Sequence, residues 1–472
     1  MLDDEGITRL VTDMWTLHQT ELVWLDRVYG YTTGQLGVPA VPEGSEQEVK
    51  DLAKLSVKNV LSLVRDSFCQ NLSVVGYRNS ATEENAAGWG QWQANRMDAR
   101  QAEVYRPAVT YGAAYVIVTN EEPDTLWRTR SPRQLLAVYE DPQVDLWPQY
   151  AFETWIDSTN AKPHRKAVLY DDTWMYPLDL GEMPTIPQDQ NAAMYARPAR
   201  ISDFGEPVRH GADVCPVVRF VNGRDADDMI LGEIAPLIRL QQAINSVNFD
   251  RLLVSRFCAF PQRVISGWSG SPSEVLKASA KRVWTFDDSD VTAQSFPSAD
   301  LSNYNGVLAE MLEHVAMVAQ ISPAQVTGKL VNLSAEALAA AEANQQRKIA
   351  AKRDSFGESW EQVFRLAASI SGDSSGSTDD ESEVVWRDTE ARTFAAIVDG
   401  VVKLASAGVP IEELLSSVPG FTQQQIAAIR VAIRRNKVNT IVSAIKPPPV
   451  EQPPVAPSPA LMPMVRNGAS TG

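Results

Sequence analysis

Side chains that could bind a metal are sparse and scattered in this sequence of 472 residues. No HExxH motif and no CxxC pair is present, so the spacing of a metal site is missing. The cysteines are expected to be reduced and mostly buried thiols. We therefore expect no metal site and no cofactor. The histidines and cysteines are His18, His164, His210, His314, Cys69, Cys215 and Cys258.

The motifs that most resemble catalytic sequences are each incomplete. Gly328-Lys329 suggests a phosphate-binding loop, but the first glycine is missing and Leu330 stands where Ser or Thr would bind magnesium. The segment 267–270 misses the second glycine of a GxSxG motif by one position. The acidic clusters 225–228 and 287–290 lie near turn residues and lack a calcium-loop pattern. We predict no catalytic residues and expect that the chain is not an enzyme.

The charge of the chain argues against tight, non-specific binding to nucleic acid. The sequence has 43 basic and 59 acidic residues, a formal net charge of −16, whereas proteins that grip phosphates are usually basic. An acidic wall would instead let DNA slide without sticking. The acidic start does not resemble a signal peptide, and the apolar runs are too short to span a bilayer. We expect no membrane contact and assembly in the cytoplasm.

The pattern of apolar residues predicts an α+β fold that is mainly α. Helical spacing covers much of residues 1–110, including helices predicted over about 46–71 and about 88–110. Short β-branched runs between about 114 and 221 predict a small, mostly antiparallel sheet. A long helix is predicted over 232–257, then a small β-rich tip over 261–300 with strands at 263–265 and 282–286, then a helix over 301–320. A break at 321–332, which contains Pro323 and Gly328, leads to a helix over 335–371, and a strand is predicted at 383–386. Two long helices that carry a small tip favour subunits placed side by side in a ring.

The order of these parts resembles the portal proteins of tailed siphophages, in the SPP1-like (Gp6-like) family. The segments 245–250 and 257–267 resemble that family's stem helix where it enters the clip, and 321–328 with 332–338 resemble its tunnel loop and the helix that follows. Parts of 59–115 resemble its wing. The resemblance implies a portal-type fold. It covers most of the chain except the tail.

The resemblance also implies a division of the chain into functional regions. These are a wing at 1–231, stem helix 1 at 232–258, a clip at 259–300, stem helix 2 at 301–320, a tunnel loop at 321–333, a connecting helix at 334–372, a crown at 373–440 and a disordered Pro-rich tail at 441–472.

A portal protein of this kind would form a ring, expected to be a dodecamer, at one capsid vertex of the virion, after assembly in the cytoplasm of the bacterial host. Double-stranded DNA would be packaged through it by the terminase large subunit and later ejected. The tunnel-loop residues expected to face DNA are Ser322, Gln325, Thr327, Lys329 and Asn332, of which Lys329 is the one cation. The clip residues expected to dock terminase and the head–tail adaptor protein are Arg263, Trp268, Lys281, Arg282 and Trp284.

The implied partners also include the major capsid and scaffolding proteins. Two other functions stay open at this point. One is a minor capsid or head–tail joining protein, which would occur in many copies across the shell. The other is an enzyme acting on nucleic acid, which would lose metal-dependent nuclease or ATPase activity when Asp287 or Lys329 is replaced.

Overall fold

The computed structural model describes residues 1–79, 85–121, 124–159, 162–183, 200–258, 263–266, 292–295, 300–328, 335–389, 394–410, 414, 425–426 and 428–436. The chain divides into two compact units, Met1–Thr393 and Phe394–Gly472. The sequence placed the beginning of a C-terminal region at 373, whereas the second unit begins at 394.

Helices and strands both occur throughout the first unit, which confirms an α+β fold. The helices are α1 Asp4–Thr33, α2 Gln47–Leu55, α3 Val60–Cys69, α4 Ala86–Ala94, α5 Met97–Arg100, α6 Ala102–Tyr111, α7 Ile238–Cys258, α8 Ser302–Ala319, α9 Pro323–Thr327, α10 Ala335–Ile370, α11 Ser374–Ser377 and, in the second unit, α12 Phe394–Ser406. A short 3-10 helix, Ala235–Leu237, precedes α7.

The strands are β1 Val74–Arg78, β2 Ala113–Glu121, β3 Asp124–Arg130, β4 Leu135–Val138, β5 Tyr150–Asp157, β6 His164–Tyr170, β7 Trp174–Glu182, β8 Asp203–Phe204, β9 Val208–Arg209, β10 Val217–Val221, β11 Arg263–Ser266, β12 Thr292–Ser295 and β13 Glu383–Trp386. All pair antiparallel, in the orders β10-β2-β3, β4-β5-β6-β7-β8 with β9 beside β7, β11-β12 and β1-β13. The predicted antiparallel pairing is thus confirmed, but the strands between Ala113 and Val221 form two sheets rather than one.

The middle of α10 is the centre of the main hydrophobic core. Trp360 is fully buried there, and its ring centroid lies 4.9 Å from Trp92 of α4 and 4.7 Å from Phe220 of β10. Its indole Nε1 donates a hydrogen bond to the Tyr105 hydroxyl at 2.9 Å. Buried aromatic pairs of this kind add to the stabilisation that area burial gives. The long helix therefore joins the N-terminal helices and the central sheet into one body.

The single helix predicted over about 88–110 is wrong, because the structure breaks it into α4, α5 and α6. Arg96 adopts a left-handed conformation with φ 55°. The neighbouring Asn95 side chain donates to the carbonyl of Thr125 at 2.8 Å and accepts from the amide of Trp127 at 2.8 Å. These contacts with β3 are long-range, so helical periodicity does not reveal them.

The helix predicted over about 46–71 is also divided, into α2 and α3. The Asn59 side chain caps α3 by accepting from the Ser62 amide at 3.3 Å, which is the role that Asn commonly takes before a first helical turn. The strand predicted at 383–386 is confirmed as β13. The pairing of β13 with β1 was not predicted, and residues 383–386 belong to the first unit.

Candidate functional site

Helices α7 and α8 are together called the arm, and strands β11 and β12 lie between them in the sequence. These two strands, called the hairpin, pair antiparallel in the register Arg263 to Ser295. The helices α7 and α8 pack together, and Arg251 Nη1 donates to Asn305 Oδ1 at 3.1 Å. The sequence predicted both helices and the first strand. The strand predicted near 282–286 lies outside the described residues, and β12 was not predicted.

Buried amides hold the first half of α7 to the segment that links α1 and α3. Asn245 accepts from the Lys58 amide at 3.1 Å and donates to the Gly37 carbonyl at 2.9 Å. Gln241 accepts from the Val60 amide at 3.2 Å and donates to Asn245 Oδ1 at 2.7 Å. Because buried polar groups are costly unless paired, these bonds fix one position of the helix.

The sequence did not predict this amide anchor, although residues 245–250 carry part of the family resemblance. Asn248 continues it, donating to the Ser56 carbonyl at 2.7 Å. Gln241, Asn245 and Asn248 are all buried. They recur at i, i+4 and i+7, the spacing of a buried helix face. Amides at that spacing, among apolar residues, were the available signal.

A second anchor is ionic and joins the base of the arm to α10. Glu233 accepts from Lys348 and from Lys352, each at 2.5 Å. Lys352 also donates to Asn222 Oδ1 at 2.6 Å, and Lys348 reaches the Ala319 carbonyl at the end of α8 at 3.4 Å. One cluster therefore connects the segment before α7, the end of α8 and the long helix.

Burial and charge act in opposite directions on this cluster. Burial alone would raise the pKa of Glu233, but the ammonium groups of Lys352 and Lys348 outweigh burial and hold it below its ordinary value. Burial lowers the pKa of Lys352, and the Glu233 carboxylate opposes part of that effect. The Lys352 side chain is only 3% exposed. It therefore depends on Glu233 as the counter-charge within the cluster.

Met317 and Val307 of α8 are apolar and exposed, and Met317 is 68% exposed. Val318 is exposed beside it, whereas Leu308 and Val315 are buried against the body. Exposed apolar residues that continue along one helix are a feature of contact surfaces. Among the described residues, the arm therefore keeps these apolar side chains exposed.

The predicted tunnel-loop residues do not share one environment. Ser322 is 3% exposed, so its side chain is unavailable to a ligand in a channel. Gln325 donates to Gln345 Oε1 of α10 at 3.0 Å, and the Thr327 hydroxyl donates to the Pro323 carbonyl at 2.9 Å. The predicted loop contains α9, which Pro323 begins and Gly328 ends in a left-handed conformation. Lys329 and Asn332 lie outside the described residues.

Among the predicted docking residues, the structure describes the backbone of Arg263, which pairs with Ser295 in the hairpin. The others, Trp268, Lys281, Arg282 and Trp284, lie outside the described residues.

The titratable groups that could do chemistry are dispersed within the described ranges. No group of three or more His, Cys, Asp or Glu side chains there could hold a metal ion. Burial lowers the pKa of His18 to about 4, against the hydrogen bond from its ring to the Pro132 carbonyl. Burial raises the pKa of Cys69 to about 12, so this thiol is not a nucleophile near neutral pH.

Comparison with known proteins identifies the family. The sequence model of the phage portal protein family, SPP1 Gp6-like, matches residues 74–438. The chain belongs to this family. It is 26% identical over 360 residues to the portal protein of Mycobacterium phage D29 and 27% identical over 367 residues to that of Mycobacterium phage L5, covering 73% of this chain and 71% of the relative in each case.

Solved structures with a similar chain include those of gene transfer agent (GTA) particles. One is the neck of an empty particle, with 12% identity and a TM-score of 0.46, covering 80% of this chain and 96% of that one. Another is the virion of a native particle, with 12% identity and a TM-score of 0.45, covering 83% and 99%.

The family assignment rests on the sequence matches and confirms the expected function. Portal proteins provide the DNA channel of the phage head, and the function of this chain is that of a portal protein. The family is a structural one. Within the described residues, no helix combines the length and apolar character that crossing a bilayer requires.

Proposed function

We propose that copies of this chain form a closed ring around a channel for double-stranded DNA at a single capsid vertex. The ring is proposed to contain twelve subunits, as expected for a dodecamer. The observation that carries this proposal is the arm of α7 and α8. It is fixed at its base by the amide and ionic anchors, yet leaves Met317 and Val307 exposed. Neighbouring copies in a ring would cover such a surface, since a ring needs contacts between unlike faces of one chain.

The regions predicted from the sequence become parts of this ring. Residues 1–231 are proposed as the wing, 232–258 and 301–320 as the stem, 259–300 as the clip, and 334–372 as the connecting helix. The crown is proposed at 373–440, although β13 within that range pairs with β1 in the first unit. The tunnel loop is proposed at 321–333 and includes α9. The Pro-rich tail remains at 441–472.

The wall of the channel is proposed to be acidic and weakly adhesive toward DNA. Asp250 of α7 and both Glu310 and Glu313 of α8 are exposed on the arm, in a chain whose net charge is −16. Carboxylates repel the phosphates of passing DNA and so limit sticking. Lys329 is proposed as the contact that touches phosphate, together with Gln325, Thr327 and Asn332. Ser322 is omitted because it is buried.

The clip is proposed as the docking site for protein partners. Arg263, Trp268, Lys281, Arg282 and Trp284 supply the aromatic and arginine side chains that dominate many protein interfaces. The partners proposed for it are the terminase large subunit during packaging and the head–tail adaptor protein afterwards. The wing is proposed to contact the major capsid and scaffolding proteins, during assembly in the host cytoplasm.

The chain itself is proposed to have no enzymatic activity. ATPase and nuclease assays with magnesium, on the purified protein, should give the same rates as a preparation in which Lys329 is replaced by Ala. Activity that disappears with that replacement, or with Asp287→Ala, would contradict the proposal.

Labelling the protein in intact phage particles tests its position. We expect gold-labelled antibody to mark one vertex per particle, at the attachment point of the tail. Label distributed over the whole shell would contradict the portal position and favour a minor capsid protein.

A further inference from the structure

The first unit contains an arginine-lined cleft. Its volume is about 550 Å³, and it is bounded by the end of α1, by α3 and α6, and by the end of β3. Clefts of this size commonly bind a small ligand or a few side chains. Its charged lining residues are Arg65, Arg100, Arg106, Arg130, Arg133 and Glu103.

Most of these arginines are held in place by carboxylates of the same chain. Arg65 forms a two-pronged contact with Asp66, at 2.8 and 3.1 Å. Arg133 pairs with Asp26 at 2.7 Å, and its guanidinium lies 4.0 Å from the Tyr29 ring centroid. Such pairs position guanidinium groups rigidly, which lowers the entropic cost of binding a further anion.

Arg106 is the arginine of the cleft that is most available to a ligand. Its side chain is 61% exposed, and its ion pair with Asp66 spans 3.9 Å. Arg100 lies in the same lining, 3.3 Å from Glu103. A guanidinium offers several donors in a planar fork that fits a carboxylate. The cleft is therefore suited to an anionic side chain.

The same chain presents an acidic and apolar loop elsewhere on its surface. The loop 140–146 contains Glu140, Asp141 and Asp145, together with Val144 and Leu146, whose side chains are 75% and 68% exposed. Exposed aliphatic residues next to carboxylates would suit a cleft that combines arginines with aromatic rings.

The loop is held in one conformation by bonds to its backbone. Arg219 of β10 donates to the Pro142 carbonyl at 3.2 Å, and Gln362 of α10 donates to the Leu146 carbonyl at 2.7 Å. Asp145 also accepts from the Asp141 amide at 2.7 Å. The loop therefore needs little ordering when it binds a partner.

The cleft lies at the β3 edge of the three-stranded sheet β10-β2-β3, and the loop lies at its β10 edge. Arg130 at the end of β3 lines the cleft, and Arg219 of β10 contacts the loop. Both residues pair with Tyr115 of β2, which runs between β3 and β10. A ring joins two different faces of each subunit, and these two faces have complementary charge.

Nucleic acid fits the cleft less well. Glu103 lines the cleft, and Asp66 contacts two of its arginines. A DNA duplex carries one negative charge for about every 1.7 Å of its length, so these carboxylates and the net charge of −16 would repel it.

We propose that the arginine cleft receives the acidic loop 140–146 of a neighbouring copy of this chain, as part of the contact between subunits. This inference rests on the proposed ring, and it names surfaces that would close it.

Charge reversal on each surface tests the proposed contact. Arg106→Glu should raise the protein concentration needed for half-maximal ring assembly at least about tenfold, because like charges placed together strongly oppose association. Glu140→Arg on the loop should have a similar effect. Glu140 is preferred because Asp141 and Asp145 accept hydrogen bonds inside the loop. The double variant should recover most of the wild-type assembly.

Native mass spectrometry at a series of concentrations measures the assembly. Arg9→Glu, at an exposed position on α1 outside the cleft lining, is the matched control and should assemble like the wild type. Thermal unfolding followed by circular dichroism verifies that each variant is folded. If Arg106→Glu does not fold, the assembly of Glu140→Arg alone tests whether the loop contributes to the contact between subunits.

Several results would overturn the inference. If the wild-type protein forms rings and Arg106→Glu assembles equally well, the proposed contact at the cleft is rejected. The proposal that the chain forms a ring would then still stand. Failure of the double variant to recover would reject the pairing of these two surfaces. Loss of binding to a DNA fragment in Arg106→Glu, with normal assembly, would assign the cleft to nucleic acid. A wild-type protein that forms no ring would contradict the proposed function itself.

Discussion

Replacing Glu233 by Gln should destabilise the base of the arm more than most single changes in this chain. The carboxylate is the counter-charge of Lys348 and Lys352, and the Lys352 side chain is only 3% exposed. Lys348 is more exposed and can turn toward water, whereas Lys352 cannot. Gln keeps the shape and removes the charge, so a buried ammonium would remain beside neutral partners.

The expected loss of stability follows from that burial. Removing one partner of a buried ion pair typically costs about 3–5 kcal/mol. Unfolding entropy is about 2.1 cal/mol/K per residue, which gives roughly 0.8 kcal/mol/K for the 393 residues of the first unit. Each kcal/mol then lowers the Tm by about 1.2 °C, so Glu233→Gln should lower it by about 4–6 °C.

Differential scanning calorimetry of the variant and two controls measures this effect. Glu233→Gln combined with Lys352→Met removes both charges, and should recover at least about half of the lost Tm. Glu182→Gln breaks an exposed pair with Lys162. It should cost less than about 1 kcal/mol. A Tm for Glu233→Gln equal to that of Glu182→Gln would refute the importance of the ionic anchor.

Further predictions concern pH and DNA. His18 is neutral in the folded chain, with its pKa lowered from 6.5 to about 4 by burial. The contribution of neutral His18 to the free energy of unfolding is fully present above pH 6.5, and about 3 kcal/mol of it is lost as the pH falls toward 4. His18→Gln should flatten the curve of stability against pH in this range, and an unchanged curve would contradict the prediction. Lys329→Ala should leave ring assembly intact and alter DNA packaging or retention; failure to assemble would make the residue structural. Glu310→Lys with Glu313→Lys should slow DNA passage in a packaging assay without preventing assembly, and an unchanged rate would argue against an acidic wall.

The sequence predicted well those elements whose own periodicity is strong. Helix α10, helix α8 and strand β13 were placed within about one residue of their observed bounds, whereas α7 begins at Ile238, after a 3-10 turn, rather than at 232. Each has a pattern of apolar or β-branched residues that local spacing reveals. The division of the N-terminal helices was not predicted, because it depends on contacts such as those of Asn95 with β3.

The anchors of the arm escaped prediction for a related reason. Asn245 meets Lys58 and Gly37 about two hundred residues away in sequence, and Glu233 meets Lys352 on another helix. The spacing of the amides along α7 indicates a buried helix face, but it does not reveal which distant residues they contact. The tunnel loop shows the converse problem, because the Pro323 and Gly328 of the predicted break begin and end the short helix α9.

Electron microscopy of the purified protein, viewed end-on, tests most directly whether subunits surround a channel. We predict closed rings of identical subunits with a central opening wide enough for a DNA duplex, and stem helices α7 and α8 arranged around that opening. Single compact particles without an opening, at concentrations well above those used for the assembly series, would contradict the portal ring.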